Sequence, residues 1–160
     1  MPKKSSITLE FHLRCRPTDV FEALTSERFI RAYTQSEASV DATEGGSFSM
    51  FGGSLTGQFE SLVPGESIVQ TWRFNNWKDD DVSRVHITLT AQSHGHTVVT
   101  LKHTDIPEVD KYGNDDIAKF VYRGWVERIF RSIANVCGFG LLKAPKILDG
   151  PAALEANNYS

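Results

Sequence analysis

The chain has 160 residues, which suits one domain and lets folding bury about 68–70% of the unfolded surface, so an apolar core forms without a staple. Hydrophobic residues make up 40% and charged residues 23%, which excludes a chain disordered by composition. A net charge of −3 from 17 basic and 20 acidic residues argues against a generic binder of nucleic acid or anionic membranes, and no run of about 18 apolar residues is present to span a bilayer.

Residues 6–14 alternate, with Ile7, Leu9, Phe11 and Leu13 on one face and Thr8, Glu10, His12 and Arg14 on the other. That period of two predicts a half-buried strand. Pro17 stops it and suits a first helical turn, so residues 17–24 read as a short helix with Val20, Phe21 and Leu24 inward. Ser26 is placed to cap a second short helix carrying Phe29, Ile30 and Tyr33.

From Ser39 the pattern becomes strands and turns. Turns are predicted at Glu44-Gly45-Gly46, Gly52-Gly53, Pro64-Gly65 and His94-Gly95. Between them Phe48 and Met50 share a face, as do Leu55, Gly57, Phe59, Ser61 and Val63. Ile68, Gln70, Trp72 and Phe74 follow, then a polar loop over residues 75–81 that carries Trp77. Val85, Ile87, Leu89 and Ala91 alternate again, and Thr97, Val99 and Leu101 face one way on the last strand.

Over residues 114–137 the period turns helical: Ile117, Val121, Trp125, Ile129, Ile133 and Cys137 recur every four residues, with Phe120 and Phe130 beside them. Gly138 and Gly140 are stop signals. Residues 143–160 read as a loosely packed tail, with helix expected at 152–156. The expected fold is α+β, an antiparallel sheet wrapped on a long C-terminal helix. The domain is assigned to residues 1–142 and the tail to 143–160. Cys15 and Cys137 read as reduced thiols, and no apolar signal region follows Lys3-Lys4, so the cytosol is the expected location.

No catalytic motif is complete. Gly52-Gly53-Ser54-Leu55-Thr56 lacks the final glycine of a nucleophile elbow and lies between strands. The glycine pairs lack the Lys-Ser/Thr of a phosphate loop. His94-Gly95-His96 offers two imidazoles without a third ligand, so no metal site is assigned, and no cofactor. His86 and His103 are placed to pair with each other or with Asp105. Gln70, Arg73 and His103 are the polar candidates for an enzyme reading, which is not favoured.

The order of elements matches the helix-grip fold of the START-related superfamily. The stretches Leu24-Thr25-Ser26-Glu27, Ala32-Tyr33-Thr34, Glu44-Gly45-Gly46-Ser47-Phe48-Ser49-Met50 and Gly57-Gln58-Phe59 resemble the C-terminal domain of the activator of Hsp90 ATPase. So do Ile68-Val69-Gln70-Thr71-Trp72-Arg73-Phe74 with Trp77, and Gly124-Trp125 with Gly138-Phe139-Gly140. The resemblance covers residues 7–140 and implies a co-chaperone-like module that binds Hsp90, at its N-terminal domains, and stimulates its ATPase. The first strand begins near residue 6, so the family's separate N-terminal domain is expected to be lacking.

The binding surface is expected outside, around the loops near Gly45 and Trp77. Its partner-facing candidates are Glu44, Arg73, Trp77, Asp79 and Asp80; Trp77 reads equally as an exposed anchor or as folded back over the sheet edge. The rival reading is a lipid-like apolar guest between sheet and helix, lined by Phe48, Phe59, Trp72, Phe74, Gly124, Trp125 and Ile129. So many aromatic side chains predict a mostly plugged cavity.

Overall fold

The computed structural model describes residues 4–151 and Leu154. β1 (Lys4–Leu13) leads into α1 (Pro17–Thr25) and α2 (Glu27–Thr34). Then come β2 (Ser39–Val40), β3 (Ser47–Met50), β4 (Leu55–Val63), β5 (Ser67–Phe74), β6 (Ser83–Ser93) and β7 (His96–Pro107). The long helix runs in three parts: α3 (Ile117–Arg123), a π-helical segment Gly124–Phe130, and α4 (Arg131–Val136). β8 (Lys146–Asp149) follows it.

Eight strands form one antiparallel sheet in the order β2-β3-β4-β5-β6-β7-β1-β8. Successive hairpins account for β2 to β7. β1 returns to lie beside β7, which puts the first strand inside the sheet. Its alternation places Ile7, Leu9, Phe11 and Leu13 at 0% exposure beneath the helix. The result is the α+β helix-grip arrangement. No helix among the described residues is long and apolar enough to cross a membrane.

The local signals act as expected at the short helices. Asp19 accepts the Arg16 backbone N–H at 2.9 Å, and Pro17 sits in the first turn of α1. Ser26 Oγ accepts from the Phe29 amide at 3.4 Å and caps α2.

Two bulges shift the alternation. In β4 the register slips between Phe59 and Ser61, so Leu62 packs on the core and Val63 is turned outward, against the expected face. In β7 the extra residue near Asp105, at φ 59°, turns Ile106 inward after His103. His86 and His103 do not pair: His86 lies on the outer sheet face, while His103 is buried beneath the helix.

Just before the stretch read as a loose tail, Arg14 N–H reaches the carbonyls of Phe139 and Gly140, and Leu142 N–H donates to His12 O; within that stretch β8 pairs with β1. Ile147 packs on the core, and Leu154 is buried. The helix expected at 152–156 otherwise lies outside the described residues.

The π-helical segment suits the four-residue apolar repeat. Four residues of an α-helix turn about 400°, so a strict four-residue repeat drifts about 40° at each step. Wider i→i+5 turns cancel that drift. They keep Val121, Trp125, Ile129 and Ile133 on the buried side.

Candidate functional site

An aromatic row runs from the core to the rim. Phe11 stacks on Phe130 with ring centroids 4.1 Å apart, and Trp72 stacks on Trp125 at 4.3 Å. Phe74 meets the edge of Trp72 at 6.0 Å and then touches Trp77 at 5.6 Å and Phe120 at 5.4 Å. The inner end is closed and the outer end is open.

At the inner end every polar tip has a partner. The Trp125 indole N–H donates to His103 Nδ1 at 3.0 Å. Because the indole only donates, Nδ1 must accept, and the ring proton sits on Nε2. His103 Nε2 then donates to Ser83 Oγ at 2.7 Å, and the Ser83 hydroxyl donates to Trp72 O at 3.0 Å. Trp72 Nε1 donates to Gln70 Oε1 at 2.8 Å. Burial pushes the His103 pKa down from 6.5 to about 3, so the ring is neutral. A Ser–His catalytic pair needs a carboxylate accepting from the second ring nitrogen, and here a donor occupies that place. Gln70 and His103 therefore serve as hydrogen-bonded core.

One hollow between sheet and helix, about 20 Å³, is lined by Phe48, Phe59, Trp72, Trp125 and Ile129 among others. That is room for one water. Phe48, Phe59 and Trp125 are buried around this hollow.

The open end is a groove of about 300 Å³ where the helix meets the sheet rim. Trp72, Phe74, Phe120, Val121 and Ile129 give it apolar walls. Gly124 is its gap: an added Cβ would meet nothing within 4 Å. Phe51 borders it at φ 53°, a strained conformation for an aromatic residue, with Arg128 4.9 Å from its ring centroid. Trp72, Phe74, Gly124 and Ile129, expected around a ligand cavity, do come together here.

A second groove of about 300 Å³ lies across Phe120, between Trp77, Asp110, Asn114, Asp116 and Ile117. Asp110 ties its loops together. It accepts from the Asn76 and Asn114 side-chain amides, each at 2.9 Å, and from the Tyr112 and Asn114 backbone amides. The Asn114 side chain contributes most to holding its carboxyl below the ordinary value. Sequence reasoning missed this residue, and Asp110 with Asn114 four residues on was the available signal.

The partner-facing candidates divide. Trp77 is 1% exposed, so it folds back under its loop and offers no exposed anchor. Arg73 is consumed by that loop, donating to the carbonyls of Trp77, Lys78 and Asp81. Glu44 reaches back to accept the Leu62 amide at 3.3 Å beside the bulge in β4. Asp79, its side chain 94% exposed, lies 3.8 Å from the Arg73 guanidinium, and Asp80 stands outward. A shallow hollow of about 560 Å³ on the outer face of β3–β5 includes Arg73, whose guanidinium is already engaged. Among the described residues, no group of three or more His, Cys, Asp or Glu is placed to hold a metal.

Comparison with known proteins follows the same outline. The family described as Activator of Hsp90 ATPase homolog 1-like protein matches residues 14–138. An activator of 90 kDa heat shock protein ATPase homolog from Dictyostelium discoideum is 32% identical over 138 residues, which is 86% of this chain and 34% of that protein. The human homolog 1 is 27% identical over 84% of this chain and 37% of its own length. The chain thus spans about a third of the length of the curated relatives it matches. The crystal structure of an HSP90 activator from Plasmodium falciparum superposes with TM-score 0.83 at 28% identity, covering 86% of this chain and 99% of that one. CalU16 from Micromonospora echinospora shares the fold at TM-score 0.66 and 18% identity, over 85% of this chain and 84% of that one.

Proposed function

The chain belongs to the Activator of Hsp90 ATPase homolog 1-like family, and from that premise we propose that it is a cytosolic Hsp90-binding module. It binds the Hsp90 N-terminal domains and favours their closed arrangement, which raises ATP turnover. A partner shifts such an equilibrium only by its differential affinity for the two states, so no catalytic group is required of this chain. The observation that carries the reading is the family match along most of the folded core. The contact surface is assigned to the rim: the two grooves beside Phe120, with Asp79 and Asp80 adding electrostatic steering toward a basic patch.

The test is a titration of the labelled chain with Hsp90 from the same source, with and without a non-hydrolysable ATP analogue. The expected result is saturable binding that tightens with the analogue, accompanied by faster ATP hydrolysis. Absence of binding at about 50 μM Hsp90 contradicts it.

One observation favours a second reading. The groove over Gly124 reaches about 300 Å³, the low end of the range for small-molecule sites. An apolar guest would sit in this groove, because the hollow among Phe48, Phe59 and Trp125 has room for one water. Native mass spectrometry of the chain purified from its own cells supports that reading if a bound mass appears, and counts against it if the bare chain is found.

A further inference from the structure

The two grooves share a ridge and differ in charge. Phe120 is 59% exposed and, with Asn76, lines both. The first groove carries Arg128, which is exposed and touches the Phe51 ring, with no carboxylate in ion-pair range among the described residues. The second carries Asp116, exposed at the start of α3, whose carboxyl caps no amide. Asp116 is the N-cap of α3 and Arg128 lies twelve residues on, in the π-helical segment, so their backbones are separated by no more than about 18 Å along the helix.

We propose that this face docks an extended segment of a partner protein whose side chains run acid–x–apolar–x–apolar–x–base. Alternate side chains of an extended chain share a face and lie about 6.6 Å apart. Two apolar side chains at that spacing straddle the Phe120 ring, one in each groove. The terminal acid and base are then about 20 Å apart, long enough to bridge the helix rise between Arg128 and Asp116. Gly124 keeps the first groove deep enough for a branched or aromatic side chain. The partner's identity as Hsp90 rests on the function proposed above, whereas the docking chemistry rests on this face.

The probe is a terminally blocked heptapeptide of glutamate, serine, leucine, serine, phenylalanine, serine and lysine, titrated into the full chain and followed by backbone NMR. Saturable shifts are expected at residues 75–77 and 117–128, with Kd below about 1 mM. Phe120→Ser alters an exposed side chain, so the fold is kept, and it weakens the peptide about tenfold or more. Arg128→Glu weakens it too, and a peptide with lysine in place of the glutamate restores binding to that variant. No saturation at about 1 mM, shifts confined to another face, an unchanged Phe120→Ser titration, or failure of the lysine peptide to rescue Arg128→Glu overturns the proposal. Hsp90 separates the two ideas. Equal Hsp90 binding by wild type and Phe120→Ser overturns this docking face and leaves the proposed function standing. Peptide binding without Hsp90 binding overturns the proposed function alone.

Discussion

Gly124 and Trp125 are chain neighbours in opposite settings. Trp125 is 1% exposed, stacked on Trp72 and hydrogen-bonded to His103. Gly124 faces open space at the rim. The same helix therefore closes the interior with one residue and opens a groove with the next. Among the described residues no buried side-chain nitrogen or oxygen lacks a partner, so the interior is finished as a core. One unfilled groove lies at the rim, between Phe51, Phe74, Phe120 and Arg128.

Changes on the closed side are expected to have the largest effects. Trp125→Ala removes a fully packed ring and leaves His103 Nδ1 without its donor; a loss of about 3–5 kcal/mol is expected in urea unfolding. A value under about 1 kcal/mol would mean that the helix packs on the sheet less tightly than the stacking implies.

His103 stays neutral when folded because burial lowers its pKa from 6.5 to about 3. The unfolded chain binds a proton there as pH drops below 6.5, and the folded chain does not until about pH 3. Stability therefore falls through that window, by up to about 1.4 kcal/mol per pH unit from this group. Unfolding curves between pH 7 and about 4.5, above the usual carboxylate range, should show a shallower slope in His103→Gln than in wild type. Parallel slopes would remove His103 as the cause.

Gly57→Ala contrasts with the rim glycine. Its Cβ would lie 1.9 Å from Thr71 O and 2.6 Å from the Phe48 ring, so β4 and β5 must part, at a cost of about 1–3 kcal/mol. Arg73→Ala should loosen residues 75–81 and expose Trp77, seen as faster amide exchange there with a stability loss of about 1–2 kcal/mol. At the open side the sign reverses. Gly124→Ala meets no atom and relieves a mid-helix glycine, so it should stabilise by about 0.5–1 kcal/mol while making the groove shallower. A destabilised Gly124→Ala would show that the groove is closed in solution.

Much of the closed side was legible in sequence. Period-two runs such as Ile7, Leu9, Phe11 and Leu13 have one buried solution, and Pro17 and Ser26 act locally. The four-residue repeat through Trp125 marked the helix, and read strictly it also held the signal for the π turns. The bulges in β4 and β7 left no comparable mark, because one extra residue shifts faces without altering composition. The rim was harder. Trp77 and Glu44 sit in polar turns and Arg73 at a strand end, and all look free, yet Trp77 is buried against Phe74 while Arg73 and Glu44 are engaged by backbone groups that only the folded chain brings near. Phe120 carried the reverse error of scale: one aromatic beside an apolar stripe reads as core, and it is the exposed ridge between two grooves. The β8 pairing escaped notice because four residues between Pro145 and Gly150 carry little periodicity.

The proposed function puts binding on the rim and packing in the interior. Hydroxyl-radical footprinting of the chain with Hsp90 and a non-hydrolysable ATP analogue tests this most directly. The predicted result is that oxidation of Phe120 falls on complex formation, while exposed Leu148 on β8 reacts as in the free chain. Absence of a complex, or a complex in which Phe120 stays fully reactive, would contradict it.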